Sequence, residues 1–306
     1  NTNTLNYTKK FGNHKLDLLL GQETVQTDGE VSSTYTKWLP VSILPNEAFA
    51  NIQTASPPSG MIQDAPKTSA LPPDRLASFF GRVNYIYDNK YIITASVRAD
   101  GSNIFGPENR WATFPALSVA WKMKEEKFLK NKEWLDELKL RFGYGLAGNN
   151  RITPYLYNTF FTTSTDFGYT FGSGVTPGAT TGTVLANPNI KWEATVSKNL
   201  GIDFGLFNGR LYGSVDGYIT DTKDLLVLAK IPQTSGYDSQ FQNSGKTQNK
   251  GVEVSLGGII VNKENFTWKT DFNISANRNV IKSLGASNGP NSTQYLVASG
   301  WVNNLF

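Results

Sequence analysis

WEATVSKNLGIDFGLFNGRLYGSVDGYIT, residues 192–220, decides the fold of this chain. Alternate residues from Trp192 are Ala194, Val196, Lys198, Leu200, Ile202, Phe204 and Leu206, and between them lie Glu193, Thr195, Ser197, Asn199, Gly201, Asp203 and Gly205. A period of two places these sets on opposite faces of a strand. The run from 192 to 206 is long beside the about 5–6 residues of an ordinary globular strand. Asn208-Gly209 then supplies residues that tolerate the positive φ of a hairpin turn. Leu211, Gly213, Val215, Gly217 and Ile219 return against Tyr212, Ser214, Asp216, Tyr218 and Thr220. One apolar face and one polar face over such lengths predict an all-β chain of transmembrane antiparallel barrel strands.

The same grammar recurs on both sides. Leu5 and Tyr7 lead to a turn near Phe11 to His14, and Leu16, Leu18 and Leu20 return. Phe79, Gly81, Val83, Tyr85 and Tyr87 oppose Arg82 and Asn84. After Asp88-Asn89-Lys90, the residues Tyr91, Ile93, Ala95, Val97 and Ala99 oppose Thr94, Ser96, Arg98 and Asp100. Further strands are predicted through Trp121, from Leu138 to Leu146, and from Val252 to Ile260. A last one carries Phe266, Trp268, Phe272 and Ile274. Residues 124–137 follow a helical spacing and predict a short amphipathic helix. Residues 26–74, 148–190 and 227–248 read as long loops, so connections alternate short and long, as periplasmic turns and extracellular loops do. About ten strands result, with an eleventh near the C-terminus.

Composition narrows the function classes. Among 306 residues, no apolar stretch approaches the ~20 needed for a transmembrane helix, which leaves barrel strands untouched. The absence of Cys removes disulfide and thiolate-metal chemistry. A net charge of +4, scattered rather than striped, gives no footing for nucleic acid. His14 is the only histidine and lies beside a turn, so neither a catalytic triad nor a metal cluster is predicted, and no cofactor is implied. No loop has the spacing of a calcium site. Trp192, Ala194, Val196, Leu200, Ile202, Phe204, Leu206, Phe266, Trp268, Phe272 and Ile274 are the expected lipid-facing set. Trp121, Trp134, Trp192 and Trp268 near strand ends read as interface anchors. On residues alone, three readings stand: a barrel segment of a larger transporter, a small stand-alone passive pore, and a soluble β-rich glycan-binding or adhesion module.

Four phrases then carry a resemblance: RADGSNIFGPENRWATFPALSVAW, LKLRFGYGLAGNN, LANPNIKWEATVSKNLGIDFGLFNGRLYGSVDGYITDTKDLL and NSGKTQNKGVEVSL. Together they resemble the SusC/RagA family of TonB-dependent outer-membrane transporters. The Asn-Pro-Asn-x-x-Trp-Glu entry at 187–193 and the Asn249 to Glu253 run are the most specific parts. The resemblance implies a barrel of about 22 strands filled by a plug, with residues 1–306 forming part of the barrel and the plug and remaining strands lying elsewhere. It implies outer-membrane uptake of oligosaccharides or oligopeptides, a SusD-like surface lipoprotein, and energy from TonB-ExbB-ExbD through the plug. The chain is expected to be a piece of something longer, with Phe306 a point of truncation.

Under that resemblance Arg82, Asn84, Arg98, Asp100, Arg141, Glu193, Asp203 and Asp216 should face the lumen, either hydrogen-bonded to each other and to the plug or meeting cargo. Arg82, Asn84, Arg98 and Asp100 are the candidate cargo contacts among them. Trp38, Tyr155, Tyr157, Phe167 and Tyr169 join them, because aromatic rings stack on sugar C–H faces. Tyr35, Phe160, Phe161, Tyr237 and Phe241 share the loops and are equally suited to packing against a lid.

Overall fold

The computed structural model describes residues 1–62, 65–172 and 174–283. The chain divides into two units: Asn1–Val25 with Leu76–Phe306, and Gln26–Arg75. Thirteen strands occur among the described residues: β1 Thr2–Phe11, β2 His14–Ser33, β3 Lys67–Tyr87, β4 Tyr91–Ser102, β5 Trp111–Lys122, β6 Leu135–Asn149, β7 Phe161–Phe171, β8 Gly174–Thr181, β9 Val184–Leu185, β10 Glu193–Leu206, β11 Leu211–Lys230, β12 Ser239–Lys263 and β13 Phe266–Ser283. Ten form one sheet in the order β1-β2-β3-β4-β5-β6-β10-β11-β12-β13; β9 adds a short parallel pairing to β12, and β7 pairs with β8 alone.

The alternation read from residues 192–220 is what this sheet uses. Leu200 stands opposite Gly217 and Phe142, and Ile202 opposite Val215 and Leu140. Val215 meets Val254, which meets Ile274. Along these rows one face is apolar, and the described residues leave it uncovered: Ile202 is 43% exposed and Phe272 54%. Only seven hydrophobic residues are buried among those described, whereas a water-soluble domain near this size buries about three quarters of its surface.

Turn chemistry follows the residues. Asp88 and Asn89 both adopt positive φ between β3 and β4, as does the run Phe207, Asn208 and Gly209 between β10 and β11. A bulky residue at positive φ is uncommon, and Phe207 is held there by its N–H, which donates to Trp134 O at 2.9 Å. Between β5 and β6, the helix predicted over 124–137 shrinks to a single turn, Lys127–Lys130. Lys124 Nζ reaches back to the carbonyls of Leu129, Lys130 and Lys132, closing the segment. In the same turn Glu126 accepts from the Tyr91 hydroxyl at 2.6 Å and from Trp121 Nε1 at 3.2 Å. Those bonds, Tyr91 first, hold its carboxyl below the usual range. Rings gather at this end of the sheet: Tyr87 stacks on Tyr91, Tyr91 on Trp121, and His14 on Phe11. The His14 Nδ1 lies 2.6 Å from the Tyr85 hydroxyl, so the histidine is built into this aromatic end.

Four expectations are corrected. Residues 26–74 are not a loop throughout, since β2 runs on to Ser33 and β3 begins at Lys67. Residues 227–248 are not a loop: β11 and β12 extend through them and leave only 231–238 between. The stretch 148–190 contains the β7–β8 hairpin and β9. Loop length also alternates less cleanly than expected, since 123–134 is longer than 103–110 or 231–238. The eleventh strand and Phe306 fall outside the described residues.

Several rings lie across glycines of the neighbouring strand. A Cβ at Gly257 would overlap the Tyr212 ring, one at Gly21 the Phe80 ring, and one at Gly251 would come within 2.8 Å of Tyr218. In the second unit, the 3-10 helix Phe49–Thr54 is closed by Thr54 Oγ1 donating to Asn51 O at 2.7 Å, and Leu71 packs 3.0 Å from where a Cβ on Gly29 would stand.

Candidate functional site

The polar face of the sheet carries charge in rungs. Arg141 on β6 sets its guanidinium between two carboxylates, with Nη2 2.6 Å from Asp203 Oδ1 and 3.1 Å from Asp216 Oδ2. Lys139 adds a bond to Asp203 at 3.0 Å. The registers put Arg141 opposite Gly201 and Gly201 opposite Asp216. The missing side chain at Gly201 is what lets the guanidinium reach across, since a Cβ there would stand 2.8 Å from Arg141 Nη2.

A second rung joins β2 to β4. Arg98 donates to Asp100 at 2.7 Å, to Glu23 at 2.8 Å and to the Ser78 hydroxyl at 2.8 Å, with its guanidinium 5.4 Å from the Phe80 ring. Nearer the aromatic end, Thr8 donates to Asp17, Asn84 Nδ2 donates to Asp17 at 3.3 Å, and Thr94 donates to Asn84 Oδ1 at 2.9 Å. Glu193 accepts from Asn149 and from the Leu226 N–H, both at 2.7 Å. Thus Asn84, Arg98, Asp100, Arg141, Glu193, Asp203 and Asp216 all engage other protein groups. Arg82 differs: it is exposed and, among the described residues, makes no side-chain hydrogen bond or ion pair.

The other candidates are scattered. Tyr155 is half-buried at φ 61°, its hydroxyl accepts from Asn103 at 3.0 Å, and its ring centroid lies 6.1 Å from that of Tyr157. Tyr169 on β7 is 63% exposed; the side chain of Phe167 on that strand lies outside the described residues. Trp38 belongs to the second unit, where Lys37 Nζ stands 5.9 Å from its ring. Phe160 and Phe161 are exposed, and Phe241 packs into the core.

That core is what pattern reading missed, and it corrects Trp192. Ile104, Phe105, Phe114, Ile190 and Trp192 form one buried cluster at the long-loop end. Trp192 is 7% exposed, its ring centroid lies 5.0 Å from Phe105 and 5.5 Å from Phe114, and its Nε1 donates to Arg110 O at 3.1 Å. It therefore cannot belong to the outward set or to an interface girdle. The cause is local. Asn187 Oδ1 accepts from the Asn189 N–H, Ile190 N–H returns to Asn187 O, and Asn243 clamps Lys191 from both sides. Those bonds turn 187–192 inward before β10 begins at Glu193. The Asn-Pro-Asn-x-x-Trp-Glu phrase is thus a buried staple. Among the described residues no group of three or more His, Cys, Asp or Glu could hold a metal ion.

The family model for the TonB dependent receptor-like β-barrel matches residues 1–305. The TonB-dependent receptor SusC of Bacteroides thetaiotaomicron is 35% identical over 297 residues, covering 96% of this chain and 28% of that protein. TonB-dependent receptor P26 of Formosa agariphila is 35% identical over 291 residues, covering 93% and 28%. In structure, the RagAB peptide importer in its closed-closed state aligns with a TM-score of 0.77 at 30% identity, over 93% of this chain and 30% of that one. The chain thus spans under a third of the length of the relatives it matches.

Proposed function

We propose, from the premise that this chain belongs to the TonB-dependent receptor-like β-barrel family of the outer membrane, that it forms part of the wall of a SusC/RagA-type importer. Its apolar face meets lipid through Ala194, Val196, Leu200, Ile202, Phe204, Leu206, Phe266, Trp268, Phe272 and Ile274. Its polar face lines the lumen. The observation that carries this reading is the contrast between the two faces of one sheet. Arg141, Asp203 and Asp216 on one pair with each other, while Ile202 and Phe272 on the other remain uncovered, as a wall between hydrocarbon and a wet interior requires.

The longer relatives support a plug domain and further strands completing this barrel. The plug would couple to TonB-ExbB-ExbD, and a SusD-like surface lipoprotein would close the long-loop end. Selection rests on differential binding, not bond chemistry. The cargo is an oligopeptide or an oligosaccharide, and similarity to the RagAB peptide importer supports the peptide. Arg82 is the leading cargo contact because its charge is uncommitted. Asn84, Arg98 and Asp100 support it from their rungs, and Tyr155, Tyr157 and Tyr169 offer ring faces.

The test is uptake by cells carrying the full-length receptor and its lipoprotein, with fluorescent oligopeptides and oligosaccharides supplied separately. Uptake of one class, abolished when TonB is removed and weakened by Arg82→Gln and Tyr169→Ala, is the expected result. Undiminished entry without TonB would instead favour a passive pore.

A further inference from the structure

The apolar face carries three basic residues that the importer reading leaves unused. Lys198 stands opposite Ile219, Ile219 opposite Lys250, and Lys250 opposite Arg278, so one row across β10 to β13 reads Lys, Ile, Lys, Arg. All three cations share the parity of Leu200, Val252 and Ala276, which places them on the outward face. All three are exposed, and among the described residues none has an ion pair within 4 Å. Like charges set directly opposite on neighbouring strands destabilise the pair. A cation facing hydrocarbon is costlier still.

The row sits at a boundary. Below it the nearest residues of the face are apolar: Leu200, Ile202 and Phe204 on β10, Val252, Val254 and Leu256 on β12, Ala276, Ile274 and Phe272 on β13. Above it come Asp221 and Gln248, joined by a 2.8 Å hydrogen bond. Lys198 lies eight residues above the end of β10, and Arg278 twelve above the start of β13. At ~2.6 Å of rise per tilted residue those are roughly 20 and 30 Å, bracketing the ~25 Å apolar band. The level is that of outer-leaflet headgroups, since the long loops lie at this end.

Along the row runs an open groove of about 640 Å³, lined by Lys198, Lys250 and Arg278 together with Leu200, Gly217 and Val252. Gly217 forms its floor, with nothing within 4 Å of where a Cβ would stand. The apolar part of the lining suits an acyl chain, and the three cations have the charge of a phosphate partner.

The geometry points to a site for one phosphorylated acyl lipid of the outer leaflet, its phosphate bridging Lys198, Lys250 and Arg278 and one acyl chain lying along Gly217. Such a site is separate from cargo transport, and it removes the repulsion between Lys250 and Arg278.

The experiment is native mass spectrometry of the full-length receptor in detergent, titrated with monophosphorylated lipid A, with the same lipid lacking phosphate, and with inorganic phosphate. The expected result is a preference of roughly tenfold or more for the phosphorylated lipid, lost in K198Q/K250Q/R278Q. Gly217→Leu should weaken both lipids while leaving every charge in place, and inorganic phosphate alone should not be retained. Equal retention of the two lipids by the unaltered receptor overturns the site, as does full retention by the triple variant. So does inorganic phosphate binding as tightly as the lipid. Heat-shifted gel mobility and cargo uptake report folding and transport independently, so loss of the lipid site alone leaves the importer reading standing. Should the triple variant not fold, Gly217→Leu decides the matter: retention equal to the unaltered receptor refutes the groove.

Discussion

An arginine placed at Ile202 measures whether the apolar face meets hydrocarbon. Ile202 lies four residues above the end of β10, about 10 Å up the membrane normal at ~2.6 Å per residue. The midplane of a ~25 Å band is then within about 3 Å of it. An outward arginine at that depth costs about 2–4 kcal/mol in a membrane barrel, and about 0–1 kcal/mol near an interface. Those costs lower the folded-to-unfolded ratio by about 30-fold to roughly 900-fold at the midplane. Ile202→Arg should therefore lose 2–4 kcal/mol, stated as about that range, while Leu206→Arg, at the turn end, should lose about 0–1 kcal/mol. Polar-face bonds cannot produce the difference, because Asp203, the adjacent residue, points the other way into the Arg141 rung. The assay is urea-dependent folding of the full-length receptor into lipid vesicles, read as the heat-shifted fraction on gels. A flat profile across Ile202 and Leu206, or a loss at Ile202 below about 0.5 kcal/mol against the membrane expectation, would refute the reasoning and return the chain to the soluble class.

Three further outcomes are expected. Trp192→Ala should cost about 3–5 kcal/mol by emptying a packed aromatic site, and in single-tryptophan variants brominated lipid should quench Trp268 but not Trp192; quenching of Trp192 would contradict its burial. Asp203→Ala should lower the urea midpoint by an amount equal to about 1.5–3 kcal/mol, since charged hydrogen bonds are lost, and Arg141→Met in the same background should recover part of it; no recovery would mean the rung is not coupled. For Glu126, a carboxyl held below its usual range contributes stability above its unfolded pKa and loses it as pH falls through the folded value. Thermal unfolding should thus weaken on acidification more in the unaltered receptor than in Glu126→Gln, and parallel pH curves for the two would discount the contacts from Tyr91 and Trp121.

Period-two reading succeeded where one face is apolar and the other polar, as in β10 and the lower half of β11. It failed along Leu226 to Ala229 and Ser239 to Asn243. There the ladder pairs a stretch that is apolar at every position, Leu226 to Ala229, with one that is polar at all but Phe241, so no alternation marks a strand. The β7–β8 hairpin, rich in Thr and Gly, was hidden for the same reason. Trp192 fitted the alternation by spacing alone. Its burial depends on bonds made by Asn187 and Asn243, and no local pattern encodes a partner 52 residues away. On the polar face, the sequence named the charged residues but not their pairing. Arg141 and Asp216 meet only because a glycine stands between them.

The rings laid over glycines give the chain its own ruler. Tyr212 seats on Gly257 and Tyr218 on Gly251, so two notches sit at a fixed interval along β12. Sliding β11 by two residues keeps every side chain on its proper face, yet it carries both rings off their notches at once, onto Ser255 and Asn249 in one direction and Ile259 and Glu253 in the other. Alternation alone cannot reject that slip during assembly, and the paired notches can.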